Sequence, residues 1–161
     1  MHNFNIRSRL NLILIISIFS IISAYFIEYV LGYQPCNLCL IERIPYALAI
    51  ILIFVNYTIK KDEKFLIVLL IIIFIFSFSI SVYHFGIEQG FFKESTVCGV
   101  KNAAEILSKE EIIKQLNKKS VSCKDVTFRI FGLSLTTINI ILSLILIIIL
   151  IKTYKKYEKI K

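Results

Sequence analysis

The chain has 161 residues, 57% of them hydrophobic, with only 5 Gly and 2 Pro. A soluble domain is about half apolar, and here the apolar residues come in blocks, which points to a bilayer rather than to water. The net charge of +8 does not indicate nucleic acid. No basic stretch outside the apolar blocks is interleaved with aromatics, and the lysines crowd the block ends, as at a cytoplasmic membrane face.

In chain order, an arm carrying Arg7 and Arg9 leads into a first apolar span at about residues 10–31. Its apolar stretch is too long for a secretory signal and shows no convincing small-residue cleavage site, so a retained helix is expected. Glu28 lies near its outer end, where a carboxylate reaches headgroups or water. A second span covers about 44–59, with Leu38, Leu40 and Ile41 extending the run toward its start. Third and fourth spans cover about 65–85 and 130–151. Each approaches the ~20 apolar residues that cross a bilayer. The expectation is an all-α, integral membrane four-helix bundle, one domain over residues 1–161.

Four spans put both termini on one side. The arm, the Lys60-Lys61-Asp62-Glu63-Lys64 loop and the tail from Lys152 onward together carry ten basic residues. The other side carries nine, from Arg43 to Arg129, spread over two longer loops at about 32–43 and 86–129. Density decides for cytoplasmic termini. In the long loop, Ser108-Lys109-Glu110-Glu111 has capping-box spacing, and Ile112, Ile113 and Leu116 follow on one helical face. A short amphipathic helix on the outer leaflet is expected there.

All four cysteines fall in the two outer loops, the oxidising side. Pro35-Cys36-Asn37-Leu38-Cys39 is a Cys-x-x-Cys motif at the mouth of the second span. A helix N-terminus beside it stabilises a thiolate, the species that exchanges. Arg43, four residues past Cys39, shares its helical face and is placed to stabilise negative charge on Cys39 or on a reduced acceptor. The alternative is a snorkelling anchor. Half of a zinc site is another reading of the motif, but no second close-spaced pair exists. Cys98 and Cys123 lie 25 residues apart, and the four cysteines allow three pairings. His84 would lie at the depth of Arg43, either to hydrogen-bond a quinone oxygen or to anchor the interface beside Tyr83.

These residues resemble the disulfide bond formation protein B (DsbB) family, the quinone-linked membrane thiol oxidases. The resemblance rests on Pro35-Cys36-x-x-Cys39-x-x-Glu42-Arg43, on Tyr83-His84-Phe85-Gly86-Ile87-Glu88, on Cys98, and on Cys123 before Gly132-Leu133. It covers about residues 10–151. It implies that Cys98 and Cys123 form the disulfide that oxidises a soluble periplasmic thioredoxin-fold partner resembling DsbA, with Cys98 making the mixed disulfide. Cys36 and Cys39 would form the second disulfide, with Cys36 exchanging with Cys123 and Cys39 facing the quinone. Arg43 would stabilise the thiolate–quinone pair, and His84 would line the quinone pocket. No metal is implied, and the setting would be the bacterial inner membrane. Two features depart from the pattern: there is no Trp, Phe128 standing near the fourth span where members often carry one, and the charge of Glu42 stands beside Arg43.

Two rival readings remain at this point. A vitamin K epoxide reductase-like enzyme uses similar chemistry, but with its quinone-side Cys-x-x-Cys late in the chain. A structural membrane protein with static disulfides would need no relay.

Overall fold

The computed structural model describes residues 2–59, 63–94, 98, 122–124, 128–130 and 132–158. In hydrocarbon every backbone polar group must be satisfied within its own segment, and long apolar runs therefore become helices. Helix α1 spans His2–Tyr29, α2 Asn37–Ile41, α3 Ile44–Ile59, α4 Glu63–Glu88 and α5 Leu135–Glu158. Four stretches are long and apolar enough to cross a membrane: Ile6–Tyr29, Asn37–Ile59, Glu63–Glu88 and Leu135–Glu158. The chain is a multi-pass, all-α membrane protein.

The break between α2 and α3 has a local cause. Pro45 has no N–H to offer the Ile41 carbonyl one turn back, and its ring crowds that carbonyl. Glu42 caps α2, its backbone N–H bonding to Leu38, and Arg43 begins the next turn. The two charged neighbours consequently diverge.

The fourth span starts later than its hydropathy suggests. A two-residue antiparallel hairpin, β1 (Arg129–Ile130) and β2 (Leu133–Ser134), precedes α5. Gly132 turns it with φ 83°, a conformation that costs glycine little. Ser134 Oγ then accepts the Thr137 N–H at 3.2 Å, an N-cap that sets the true helix start. At its other end α5 continues to Glu158, because the lysines after Ile151 are good helix formers.

Helix α5 packs most extensively on α4, and α1 and α4 flank α3. Leu10, Ile13, Ile53, Ile67, Leu70, Phe74, Leu146 and Leu150 are fully buried along the seam. Lipid tails are as apolar as these side chains, so van der Waals fit rather than water exclusion holds it. Phe19, Phe54, Phe65 and Ile72 point outward, toward where the lipid would lie. Arg9 reaches Thr153 at 3.4 Å and Lys64 meets Glu158 at 3.5 Å, which gathers the two chain ends at one end of the bundle. The cysteines are at the other end. The amphipathic helix expected at Ser108–Leu116 lies outside the described residues.

Candidate dithiol site

Cys36 is the N-cap of α2, and its Sγ accepts the Cys39 backbone N–H at 3.3 Å. One turn of helix brings the two sulfurs to 2.6 Å, with no disulfide bond between them. The other pair is joined: Cys98 and Cys123 form a disulfide with Cα atoms 5.5 Å apart. Of the three possible pairings, this is the one the structure holds. Cys36, Cys98 and Cys123 belong to one buried cluster with Leu38 and Ile87, against which Cys39 and Ile41 pack.

The loop segments are fastened locally. Phe92 folds back over α4, where a Cβ on Gly86 would fall on its ring, and it stacks on Tyr83. Glu94 accepts from the Ser122 hydroxyl and from the Lys124 N–H. These bonds hold the segment around Cys123 against the end of α4.

His84 is only 2% exposed, which does not suit an interfacial anchor. Its Nε2 lies 3.5 Å from Cys36 Sγ and its Nδ1 lies 3.0 Å from Glu42 Oε1. Glu42 therefore turns to His84 and not to Arg43. Asn139 Nδ2 donates to the second Glu42 oxygen at 3.1 Å and to Ser81 Oγ at 2.7 Å, while the Tyr46 hydroxyl donates to Asn139 Oδ1. On the other flank of the ring, Glu88 Oε1 is 3.9 Å from Nε2 and accepts from Thr136 at 2.5 Å.

Arg43 takes a different partner. Its guanidinium bonds Glu28 of α1 at 2.5 Å and lies 5.1 Å from the centre of the Tyr25 ring. Glu28 thus ends in an ion pair. Both residues line a cavity of about 480 Å3 shared with Cys36, Cys39, His84 and Cys123. That volume is in the range of small-molecule sites. Ile27, Phe128 and Leu142 supply apolar wall, and Phe128 packs on Tyr33 at 4.9 Å.

Cys36, just outside the spanning helix, is held well below an ordinary thiol, at about 5. The Cys39 hydrogen bond does most of this, burial opposes it, and His84 adds to it. A thiolate at this position is a nucleophile and a good leaving group. Cys36, Cys39 and His84 each bring one donor atom within 4.8 Å of the others, a set of the kind that can also take a metal ion.

The six residues singled out by motif all fall in this region. Sequence reasoning missed Asn139, Thr136, Ser81 and the pairing of Glu42 with His84. A signal was present. Ser77, Ser81, His84 and Glu88 recur at helical spacing on α4, and Thr136, Asn139 and Ser143 do so on α5. Polar stripes inside apolar spans are expensive and mark functional faces. The stripes meet, Ser77 Oγ lying 3.2 Å from Ser143 Oγ.

The family profile for disulfide bond formation protein DsbB matches residues 6–153. An uncharacterized protein of Rickettsia prowazekii (strain Madrid E) is 34% identical over 155 residues, covering 93% of this chain and 90% of that protein. No solved structure matches.

Proposed function

This chain belongs to the disulfide bond formation protein DsbB family, and from that premise we propose a complete electron path for it. As a family member it is a membrane thiol oxidoreductase of disulfide-bond formation. The proposed path runs from a soluble periplasmic thioredoxin-fold dithiol resembling DsbA, through Cys98–Cys123 and Cys36–Cys39, to a membrane quinone. The observation that carries it is the shared cluster: a closed loop disulfide packed with an open Cys-x-x-Cys pair.

The steps are successive thiolate attacks. A partner thiolate attacks Cys98 Sγ, the Cys98–Cys123 bond breaks, and Cys123 leaves with the electron pair. The partner's second thiolate attacks the partner sulfur of the mixed disulfide, which frees Cys98 and the oxidised partner. Cys123 attacks Cys36 Sγ of a Cys36–Cys39 disulfide and Cys39 leaves as thiolate. Cys98 then attacks Cys123 Sγ, so that the loop disulfide re-forms and Cys36 leaves.

The cavity residues fit a quinone. Apolar walls suit a flat ring, and a guanidinium and an imidazole on the same cavity suit its oxygens. Cys39, Arg43 and His84 would hold it. A quinone bound there supplies the two-electron, two-proton sink that returns Cys36 and Cys39 to a disulfide. Arg43, preset by Glu28 and Tyr25, stabilises negative charge developing beside Cys39. The lysine density at the end holding both termini supports cytoplasmic termini in a bacterial inner membrane.

Stopped-flow quinone reduction with a reduced thioredoxin-fold partner tests this reading. Turnover is expected with the full chain and none with Cys36→Ser or Cys39→Ser, although both variants still insert. Wild-type turnover in either variant removes the relay.

A further inference from the structure

Three groups have no assigned part in the exchange: the buried His84 Nδ1 and Glu42, and the half-buried Asn139. We propose that Cys36, His84 and Glu42 form a proton relay, in which the His84 imidazole exchanges a proton with Cys36 Sγ while Glu42, clamped by Asn139, fixes the ring. The relay rests on the exchange sequence above only for the step it serves.

The hydrogen-bond directions leave little freedom. The Tyr46 hydroxyl gives its hydrogen to Asn139 Oδ1, which turns the Asn139 NH2 toward Glu42 Oε2 and Ser81 Oγ. A second donor meets the other Glu42 oxygen, His84 Nδ1 at 3.0 Å. A carboxylate accepts at both oxygens, so Nδ1 carries the hydrogen and Nε2 is left to face Cys36 at 3.5 Å. A nucleophile, a base and a group orienting the base is the arrangement that moves protons to and from sulfur. Glu88 is not the orienting group. It sits 3.9 Å from Nε2, beyond hydrogen-bond reach, and Thr136 takes its Oε1.

The proton balance is simple. When Cys98 displaces Cys36 from Cys123, the Cys36–Cys123 bond breaks and Cys36 keeps the electron pair. The proton that the Cys98 thiol gives up on becoming the attacking thiolate is taken up at His84 Nε2, which holds it in a hydrogen bond to the Cys36 thiolate. Where Cys36 carries the proton, Nε2 takes it from the thiol and leaves a thiolate ready to attack. The bond that the displacement re-forms, Cys98–Cys123, is the one the structure holds.

Several groups face Cys36 or its imidazole: Cys39 on α2, Glu42 at its end, Glu88 and His84 on α4, Thr136 and Asn139 on α5, and the Cys98–Cys123 bridge. Arg43 and Glu28 share the cavity and pair with each other. The test isolates Cys36 as the sole thiol by Cys39→Ser, Cys98→Ser and Cys123→Ser in the full chain, and follows its iodoacetamide rate against pH. The Cys39→Ser change leaves a hydroxyl and a backbone N–H beside Cys36. His84→Gln is expected to raise the midpoint by at least about one pH unit, a tenfold loss of thiolate below it. Glu42→Gln separates relay from mere proximity by sign. A nearby carboxylate alone disfavours the thiolate, so losing it would lower the midpoint. If Glu42 acts through His84, its loss raises the midpoint, and in the His84→Gln background it no longer does.

Asn139→Ala, which removes the clamp together with the Tyr46 and Ser81 bonds but leaves His84 and Glu42 in place, should move the midpoint the same way by less, and stands in if Glu42→Gln does not fold by circular dichroism. A lowered midpoint with Glu42→Gln, or no change in folded His84→Gln, overturns the relay. Neither partner nor quinone enters this measurement, so its failure leaves the electron path to its own test.

Discussion

The two halves of the bundle are built on opposite principles. Around Leu10, Ile67, Leu70 and Leu150 the helices meet mainly through apolar side chains, with the Arg9–Thr153 hydrogen bond beside them. Around His84 the same helices meet through carboxylates, an amide and hydroxyls, each with a named partner apart from the second oxygen of Glu88. Losing an apolar contact costs only packing, because no polar group is left without a partner. A buried polar network differs, because removing one member strands its partner. The first half sets where the helices stand, and the second sets what happens at the sulfurs.

Arg43 tests the polar half most severely. Arg43→Leu is expected to lower quinone turnover on the order of 10²-fold, the usual loss when one well-placed donor is removed. Arg43→Lys keeps the charge but not the planar fork and should lose less. Arg43→Leu also strands Glu28, so Arg43→Leu with Glu28→Gln is measured beside it. Recovery of turnover in the double variant would assign the loss to a stranded carboxylate. Wild-type kinetics in both Arg43 variants would leave Arg43 an anchor.

Leu70→Ala probes the other half. Leu70 is completely buried, and its truncation should cost roughly 1–3 kcal/mol of stability, mostly as a cavity. The Cys36 alkylation profile should stay where it was. A shift in that profile would show that the halves are coupled and would break the comparison.

The same division decides what could be read from the sequence. Four apolar blocks became four spans, the second broken into α2 and α3, because length and hydropathy are summed over some twenty residues and one error does not matter. Helix ends were legible only where a stop signal was visible. Gly132 and Ser134 moved the start of α5 inward, and nothing in the apolar count registers a two-residue hairpin. The cysteines and Arg43 were found by spacing within a single turn. The partnership of Glu42 with His84 was not, because it joins residues 42 apart in sequence and depends on Pro45 breaking the helix between Glu42 and α3. Sequence placed Glu42 beside Arg43, and the break sends them to different partners.

The meeting of the two cysteine pairs is the claim on which the electron path depends. A full chain carrying Cys39→Ser and Cys98→Ser keeps only Cys36 and Cys123 as thiols. Mild oxidation followed by non-reducing peptide mapping reads the bond directly. The account predicts a Cys36–Cys123 disulfide within single molecules, formed faster than cross-links between them. Two thiols that stay free, or join only between molecules, would contradict it.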